Sequence, residues 1–265
     1  MVSILIGLLF SVFISLVALV KRSLSLSGAF AAIILGTAIF YFGGVYLSAI
    51  MVAFFASSSL LSKFKKNRKA FTYDIHEKSG GRDYAQVFAN GGVGLIFSAL
   101  WFATNKPVYL IAYTVSFAAA NSDTWASELG VLSRGKPISI LNFKRVEKGV
   151  SGAISILGTI SAVLGAGFIA VIFFIIFIIM FGFSTSAILL SLIVVILGFT
   201  GCIVDSLLGA AIQAKYRCEV CGRITERKIH HNKDAKLAAG FRYINNDAVN
   251  FISILSVTLI WLLLL

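Results

Sequence analysis

All but one of the 23 Lys and Arg residues fall in four loops, and each of those loops follows an odd-numbered apolar segment of the chain. The apolar segments run over about 4–20, 24–40, 45–61, 85–103, 108–126, 151–181, 187–214 and 248–265, each long enough to cross a bilayer as a helix. Lys21 and Arg22 follow the first, and Lys63, Lys65, Lys66, Arg68, Lys69, Lys78 and Arg82 follow the third. Arg134, Lys136, Lys144, Arg145 and Lys148 follow the fifth, and eight bases between Lys215 and Arg242 follow the seventh. Only Lys106 lies on the other side. The positive-inside rule makes the basic loops cytoplasmic and both termini external.

A composition that is 58% hydrophobic, with a mean hydropathy of +0.94, exceeds what a water-soluble domain carries. Backbone polar groups find no water in hydrocarbon, so segments of this length must be helices rather than alternating barrel strands. The expected fold is all-α: a polytopic membrane bundle of about eight transmembrane helices, N-out and C-out, in one domain over 1–265. Its cytoplasmic loops lie near 62–84, 130–150 and 215–247. The net charge of +12 does not point to nucleic acid, because the bases follow topology and are not interleaved with aromatics. They serve as anchors toward lipid headgroups and as a surface for phosphate. The first segment has no basic residues before it and no small-residue cleavage pattern, so it reads as a retained helix and not a signal peptide. Small residues four apart, Gly28, Ala32 and Gly36 and again Gly201, Asp205 and Gly209, predict close helix approach.

Acidic side chains within a span cost about 3 kcal/mol each, so they persist only with partners, water or a cation. At the end of the fifth span, Asn121, Asp123, Thr124, Ser127 and Glu128 share a helical arc of about 160°. An all-oxygen face of this kind suits Mg²⁺, which is held by one or two carboxylates together with substrate phosphates. In the seventh span Gly201, Asp205, Gly209 and Gln213 make a stripe of small and polar groups, with Ser206 beside it. A helix over 187–214 would be about 42 Å long against a hydrocarbon core of about 30 Å, which puts Asp205 near the cytoplasmic interface. Arg82, Asp83, Gln86 and Asn90 enter the fourth span, Lys148, Gly149 and Ser151 open the sixth, and Asn246, Asp247 and Asn250 open the eighth. Free amides, a helix dipole and a lysine at such a start favour an anion. All of these lie at one membrane face and imply a single site. The bland alternatives are solvated helix ends for the acids and helix packing for Asp205.

Taken together and in order, Arg82-Asp83-x-x-Gln86-Val87-x-Ala89-Asn90-Gly91, Asp123-Thr124-Trp125-Ala126-Ser127-Glu128-x-Gly130, Lys148-Gly149-Val150-Ser151-Gly152, Asp205-Ser206-Leu207-Leu208-Gly209-Ala210 with Gln213, and Asn245-Asn246-Asp247-x-Val249-Asn250 resemble a known integral membrane family. That family includes plant chloroplast phytyl-phosphate kinase and animal transmembrane protein 19, and the resemblance covers essentially the whole chain. It implies phosphoryl transfer from a nucleoside triphosphate, CTP first, to a prenyl monophosphate. On that reading Asp123, Glu128 and Asp205 hold Mg²⁺, and Arg82 and Lys148 neutralise phosphates. Asp83, Gln86, Asn90, Asn121, Thr124, Ser127, Gly149, Ser151, Ser206, Gln213, Asn246 and Asn250 contact the substrates. The acceptor phosphate is already ionised, so no nucleophilic triad is needed. The competing class is a proton- or cation-coupled transporter, against which stand short, nearly uncharged outer loops and no inverted repeat.

Cys218-x-x-Cys221-Gly222, followed by His230 and His231, resembles half of a zinc site in a cytosolic, reducing setting. Related sequences carry a further His-x-Cys-Gly element where this chain reads His230-His231-Asn232-Lys233, which leaves the fourth ligand open between the second His and Asp234.

The charge division sets a test of orientation. A cysteine introduced by Lys66→Cys should react with a membrane-impermeant maleimide only after permeabilisation of the cells. Labelling on sealed cells reverses the topology.

Overall fold

The computed structural model describes residues 2–71, 75–78 and 80–264. Positions 72–74 and 79 of the expected 62–84 loop, and Leu265 of the last expected span, lie outside them. The long helices are α1 (Val2–Val20), α2 (Leu26–Lys63), α4 (Tyr84–Thr104), α5 (Pro107–Gly130), α6 (Ile156–Phe181), α7 (Thr185–Ala211) and α8 (Asn246–Leu263), with a single turn, α3 (Lys66–Lys69), after α2. Six of these, all the long ones except α5, are long and apolar enough to cross a membrane.

The 38 residues of α2 hold two of the expected spans. At Gly44 the backbone turns to φ 59°, ψ −152°, a conformation open to glycine and to few other residues. The two arms then pack against each other. A Cβ on Gly36 would lie 3.6 Å from Met51 Cε, whereas a straight helix would separate these positions by about 22 Å. Phe55 of the second arm packs on the cluster that Ala18, Leu24 and Ala29 form around the start of the first. The second and third spans are therefore a helical hairpin without a loop.

Contacts between helices follow the small residues. Gly7, Ser11, Ser15 and Ala18 are the buried face of α1, and Gly7 and Ser11 meet Phe40 and Gly36 of α2. Gly198 and Gly201 of α7 face Ala118 and Ala119 of α5, and Gly165 of α6 faces Asn121 and Trp125. As a result α5 sits in the middle, touching α2, α4, α6, α7 and α8, and every residue from Leu110 to Ser122 is buried. The outer surface presents Phe13, Phe30, Leu164, Ile175, Leu192 and Ile196, as a lipid-facing surface must.

Tyr113 donates to Leu47 O at 2.6 Å, and Trp261 Nε1 donates to Val108 O at 2.9 Å, so these buried polar atoms are satisfied between helices. Ser25, Asp83, Ser155, Ser184 and Asn245 each accept from an amide three residues on, which fixes where α2, α4, α6, α7 and α8 begin. The sixth span starts later than the apolar run suggests, because Ala153–Ile154 (β2) pairs with Ile138–Ser139 (β1) before α6 opens at Ile156. The 215–247 loop is also more ordered than its basic composition suggests. It forms a sheet of β3 (Lys215–Arg217) between β4 (Ile224–Thr225) and β7 (Lys236–Ala239), and a hairpin of β5 (Ile229–His230) and β6 (Lys233–Asp234).

The central contact can be probed at its tightest point. A Cβ on Gly201 would lie 2.5 Å from Ala119 Cβ, whereas one on Gly167 of α6 meets nothing within 4 Å. Gly201→Leu should destabilise the bundle by about 1–3 kcal/mol, and Gly167→Leu by less than about 0.5 kcal/mol. Thermal unfolding of both variants in one detergent checks the difference.

Candidate functional site

The helix ends that carry the polar motifs meet at one end of the bundle, around two adjoining cavities. The smaller, about 130 Å³, is walled by Asp123 and Ser127 of α5, by the Lys148–Ser155 segment, and by Gly158, Thr159 and Ala162 of α6. Phe199, Cys202, Ile203, Asp205, Ser206 and Gly209 of α7 and Gln213 complete it. The larger, about 620 Å³, is lined by Lys21, Arg22, Lys63, Lys66, Lys69, Lys78 and Arg82 together with Gln86, Asn90, Thr124, Glu128, Asp247 and Asn250. His76, Asp123, Ser127, Val131, Glu226 and Asn246 belong to both and form the shared wall.

The carboxylates differ in what they meet. Glu128 Oε1 accepts from Ser62 Oγ at 2.5 Å, and Oε2 is paired with Lys69 Nζ at 2.6 Å. Asp205 Oδ2 accepts from Ser253 Oγ at 3.0 Å and faces the amide nitrogen of Asn250 at 3.0 Å. Asp123 Oδ1 has the Cys202 thiol 4.0 Å away. Among the described residues, neither Asp123 nor Asp205 has a cationic partner. Two carboxylates in one cavity, surrounded by hydroxyl and amide groups, fit a hard divalent cation such as Mg²⁺. The three expected carboxylates are not equivalent. Glu128 lines only the larger cavity and is neutralised by Lys69, whereas Asp205 lines only the smaller one.

Arg82 reaches the larger cavity with its guanidinium 5.8 Å over the Phe55 ring and an N–H donated to Ser59 Oγ at 3.3 Å. Burial lowers its pKa, and the charge of Glu128 opposes that shift. Lys148 lines the smaller cavity and donates to Ser133 O. Gly149 and Ser151 line it with Lys148, and Gly149 has a φ of 87°. Gln86, Asn90, Thr124, Ser127, Ser206, Gln213, Asn246 and Asn250 all reach a cavity wall.

Two expected site residues do not. Asn121 is buried and spends its amide on the fold, accepting from Ser57 and Ser58 at 3.0 and 3.2 Å and donating to Gly165 O at 2.7 Å. Asp83 caps α4 in a reciprocal pair with Gln86 and binds Lys78 at 2.8 Å. Both hold the walls in place rather than lining them. The four residues Cys218, Cys221, His230 and His231 line neither cavity and form their own cluster, with all four ligand atoms within 4.8 Å of one another.

Glu226 is the residue that sequence reasoning missed. Its Oε1 accepts from Ser151 Oγ at 2.5 Å and from Gln213 Nε2 at 2.8 Å, while Oε2 faces His76 Nδ1 at 3.4 Å. Burial pushes its pKa up, but the hydrogen bond and charge of His76 and the Ser151 hydroxyl outweigh this and hold it below the ordinary glutamate value. Burial likewise lowers His76, and Glu226 more than reverses the shift, so the imidazole is raised above its ordinary value. An acid in a loop carrying eight bases was the available signal, but no periodicity marks its position. The lysines of the larger cavity belong to the basic loops expected to offer a surface for phosphate, but the sequence does not mark which of them meet.

Comparison with known proteins gives a consistent kinship. Protein PGR of Arabidopsis thaliana is 31% identical over 255 residues, covering 89% of this chain and 86% of the relative. An uncharacterized membrane protein of Methanocaldococcus jannaschii is 35% identical over 201 residues, covering 74% and 77%. The chloroplastic Protein VTE6 of Arabidopsis thaliana is 27% identical over 157 residues, covering 57% and 47%. No solved structure matches. The integral membrane protein family DUF92 matches residues 9–258, nearly the full length, and this chain belongs to that family.

Proposed function

We propose that this protein is a membrane prenyl-phosphate kinase. It transfers the terminal phosphoryl group of a nucleoside triphosphate, with CTP the first candidate, to a prenyl monophosphate. The products are the prenyl diphosphate and a nucleoside diphosphate. The site is Mg²⁺-dependent and faces the cytoplasm at the cell membrane. The observation that carries this reading is the pair of cavities meeting at Asp123, one walled by seven cations and the other running from a glycine-rich loop into apolar helices. Likeness to the family that contains the plant phytyl-phosphate kinase supports it.

The larger, basic cavity takes the nucleotide's phosphates. Lys21, Arg22, Lys63, Lys66 and Arg82 have no carboxylate partner among the described residues and remain available to polyphosphate. The smaller cavity takes the acceptor phosphate at Lys148, Gly149 and Ser151, with its prenyl chain against Ala162, Phe199 and Ile203. A non-bridging oxygen of the prenyl phosphate attacks the terminal phosphorus. The bond from that phosphorus to the bridging oxygen breaks, and the electron pair leaves with the nucleoside diphosphate. The attacking oxygen carries no proton, so positioning and charge neutralisation supply the catalysis. Mg²⁺ held by Asp123 and Asp205 would neutralise charge on the phosphates between the cavities. Thr124, Ser127, Gln86, Asn90, Ser206, Asn246 and Asn250 orient the two substrates. Glu226 is a positioning residue that fixes Ser151 and Gln213 in the cavity wall.

Incubating purified protein with radiolabelled CTP or ATP, Mg²⁺ and a panel of prenyl phosphates should place label in a lipid diphosphate. Asp123→Asn and Asp205→Asn should each lower the rate by about 10²–10³-fold while leaving thermal unfolding in place, since Asn keeps the shape and removes the charge. Near-normal transfer in either variant removes the shared cation. No transfer to any acceptor, with cation-driven uptake into proteoliposomes instead, installs the transporter reading.

Assignment of the cavities has its own readout. Arg82→Ala should raise KM for the nucleotide about tenfold with little change for the prenyl phosphate, and Lys148→Ala should do the reverse. Equal effects of both variants on both substrates would show that the cavities do not divide the substrates.

A further inference from the structure

The cytoplasmic module between α7 and α8 has little to hold it together. Strands β4, β5 and β6 have two residues each, and isolated hairpins of that size are marginal in water. Over 215–239 the buried side chains are Tyr216, Cys218, Thr225, Glu226 and His230, of which only the tyrosine is a large apolar group. Segments this small ordinarily need a disulfide or a metal to stay folded.

The four candidate ligands sit where such a fastening is needed. Cys218 and Cys221 are in the turn joining β3 to β4, and His230 and His231 are at the turn joining β5 to β6. The cysteine turn closes through Gly222 N donating to Cys218 O at 2.9 Å, with Gly222 at φ 71°. The Val220 amide donates to Cys218 Sγ at 3.4 Å. His231 and Asn232 take up positive φ, 54° and 57°, which brings consecutive imidazoles to the same side with ring centroids 4.1 Å apart. Cys218 Sγ is 3.6 Å from His231 Nδ1, and Cys221 Sγ is 3.7 Å from His230 Nδ1. Zinc bonds of about 2.3 Å to sulfur and about 2.0 Å to nitrogen in a tetrahedron require a sulfur-to-nitrogen edge of about 3.5 Å. Both pairs match that edge.

We infer that Cys218, Cys221, His230 and His231 form a closed structural zinc site that ties the two hairpin turns together. Two thiolates and two neutral imidazoles fill all four positions, so the ion has no open position for substrate. The second histidine is the fourth ligand, and Asp234 is not. The consequence reaches the cavities, because Glu226 lies between the two fastened turns, directly after β4. Its amide donates to Ile75 O at 2.8 Å and its carboxylate holds Ser151 and Gln213. The zinc therefore positions Glu226 from a distance and takes no part in chemistry. This inference stands on the loop geometry alone and does not depend on phosphoryl transfer.

Full-length protein purified in detergent after growth with added zinc, then washed with a chelator, should contain about one zinc per chain by elemental analysis. Cys218→Ser/Cys221→Ser should lose it, and Cys202→Ser should keep it. Cobalt exchanged into the wild type should give the ligand-field bands of a tetrahedral site and a thiolate-to-cobalt charge-transfer band, a readout that does not need the double variant to fold. Stripping the metal with a stronger chelator should speed hydrogen exchange over 215–239 by at least tenfold and leave the helices protected. Wild type without zinc, zinc retained in the double variant, iron in its place, or a Cys218–Cys221 disulfide by thiol counting would each overturn the site. Failure of the kinase assay with zinc present would leave this site standing and remove only the catalytic reading.

Discussion

The burial of α5 is the constraint on which the rest depends. A helix carrying Thr114, Ser116, Asn121, Ser122, Asp123 and Glu128 could not face lipid, where each unpaired polar group is costly. Five other helices surround it instead, and they approach closely because Gly94, Gly165, Gly198 and Gly201 stand at the contacts. Asn121 shows how the polar load is discharged. Its three hydrogen bonds reach α2 and α6, so one amide joins three helices that have no aqueous driving force to associate. The same sheath delivers Asp123, two residues further on, to the point where the cavities meet.

Charge at that end of the bundle is sorted by pairing. Lys69 neutralises Glu128, Lys78 lies between Asp83 and Asp247, and His76 faces Glu226. These contacts link α3, α4, α5, α8 and the loops, so they fix the relative positions of the cavity walls. Partly buried pairs of this kind contribute through geometry more than through net stability, because desolvation offsets much of their attraction. Asp123 and Asp205 fall outside this pattern. A half-buried carboxylate without a cation is unfavourable unless something else brings positive charge, and two of them on one cavity raise that demand.

Much of the fold was legible because it follows from solubility in lipid. The eight apolar segments all became helical, including the two that join at Gly44 without a loop, since hydrocarbon leaves the backbone no other option. Convergence of the polar motifs was legible too, because alternating topology places the ends of odd-numbered spans and the starts of even-numbered ones on the same side. The basic loops pointed to a surface for phosphate but not to the larger cavity, because the positive-inside rule accounts for such residues whether or not they line a site. Asn121 and Asp83 brace the walls without lining a cavity, because a helical wheel or a motif gives the place of a side chain and not what receives it. The late start of α6 at Ile156, after β2 pairs with β1, and the 3.6 Å approach of Met51 to the Gly36 position depend on pairing and packing that one sequence does not encode locally.

Glu226 marks a deeper limit. The roof over the cavities is made of three loops that interlock through polar contacts: Ile75 O accepts from Glu226 N, His76 O accepts from Arg227 Nε, and Ser151 donates to Glu226. No periodic pattern governs such a roof, because each contact joins segments about 75 or 150 residues apart. The walls below it are helices whose inward faces carry Ala162, Phe199 and Ile203. The enclosure is thus ionic toward the loops and apolar toward the helices, with the transition at Asp123 and Asp205. A substrate that is half phosphate and half hydrocarbon would meet matching surroundings at both ends. The place where its two halves join would then coincide with the only carboxylates of the cavity walls that the described cations and histidines leave unpaired, apart from the exposed Glu77.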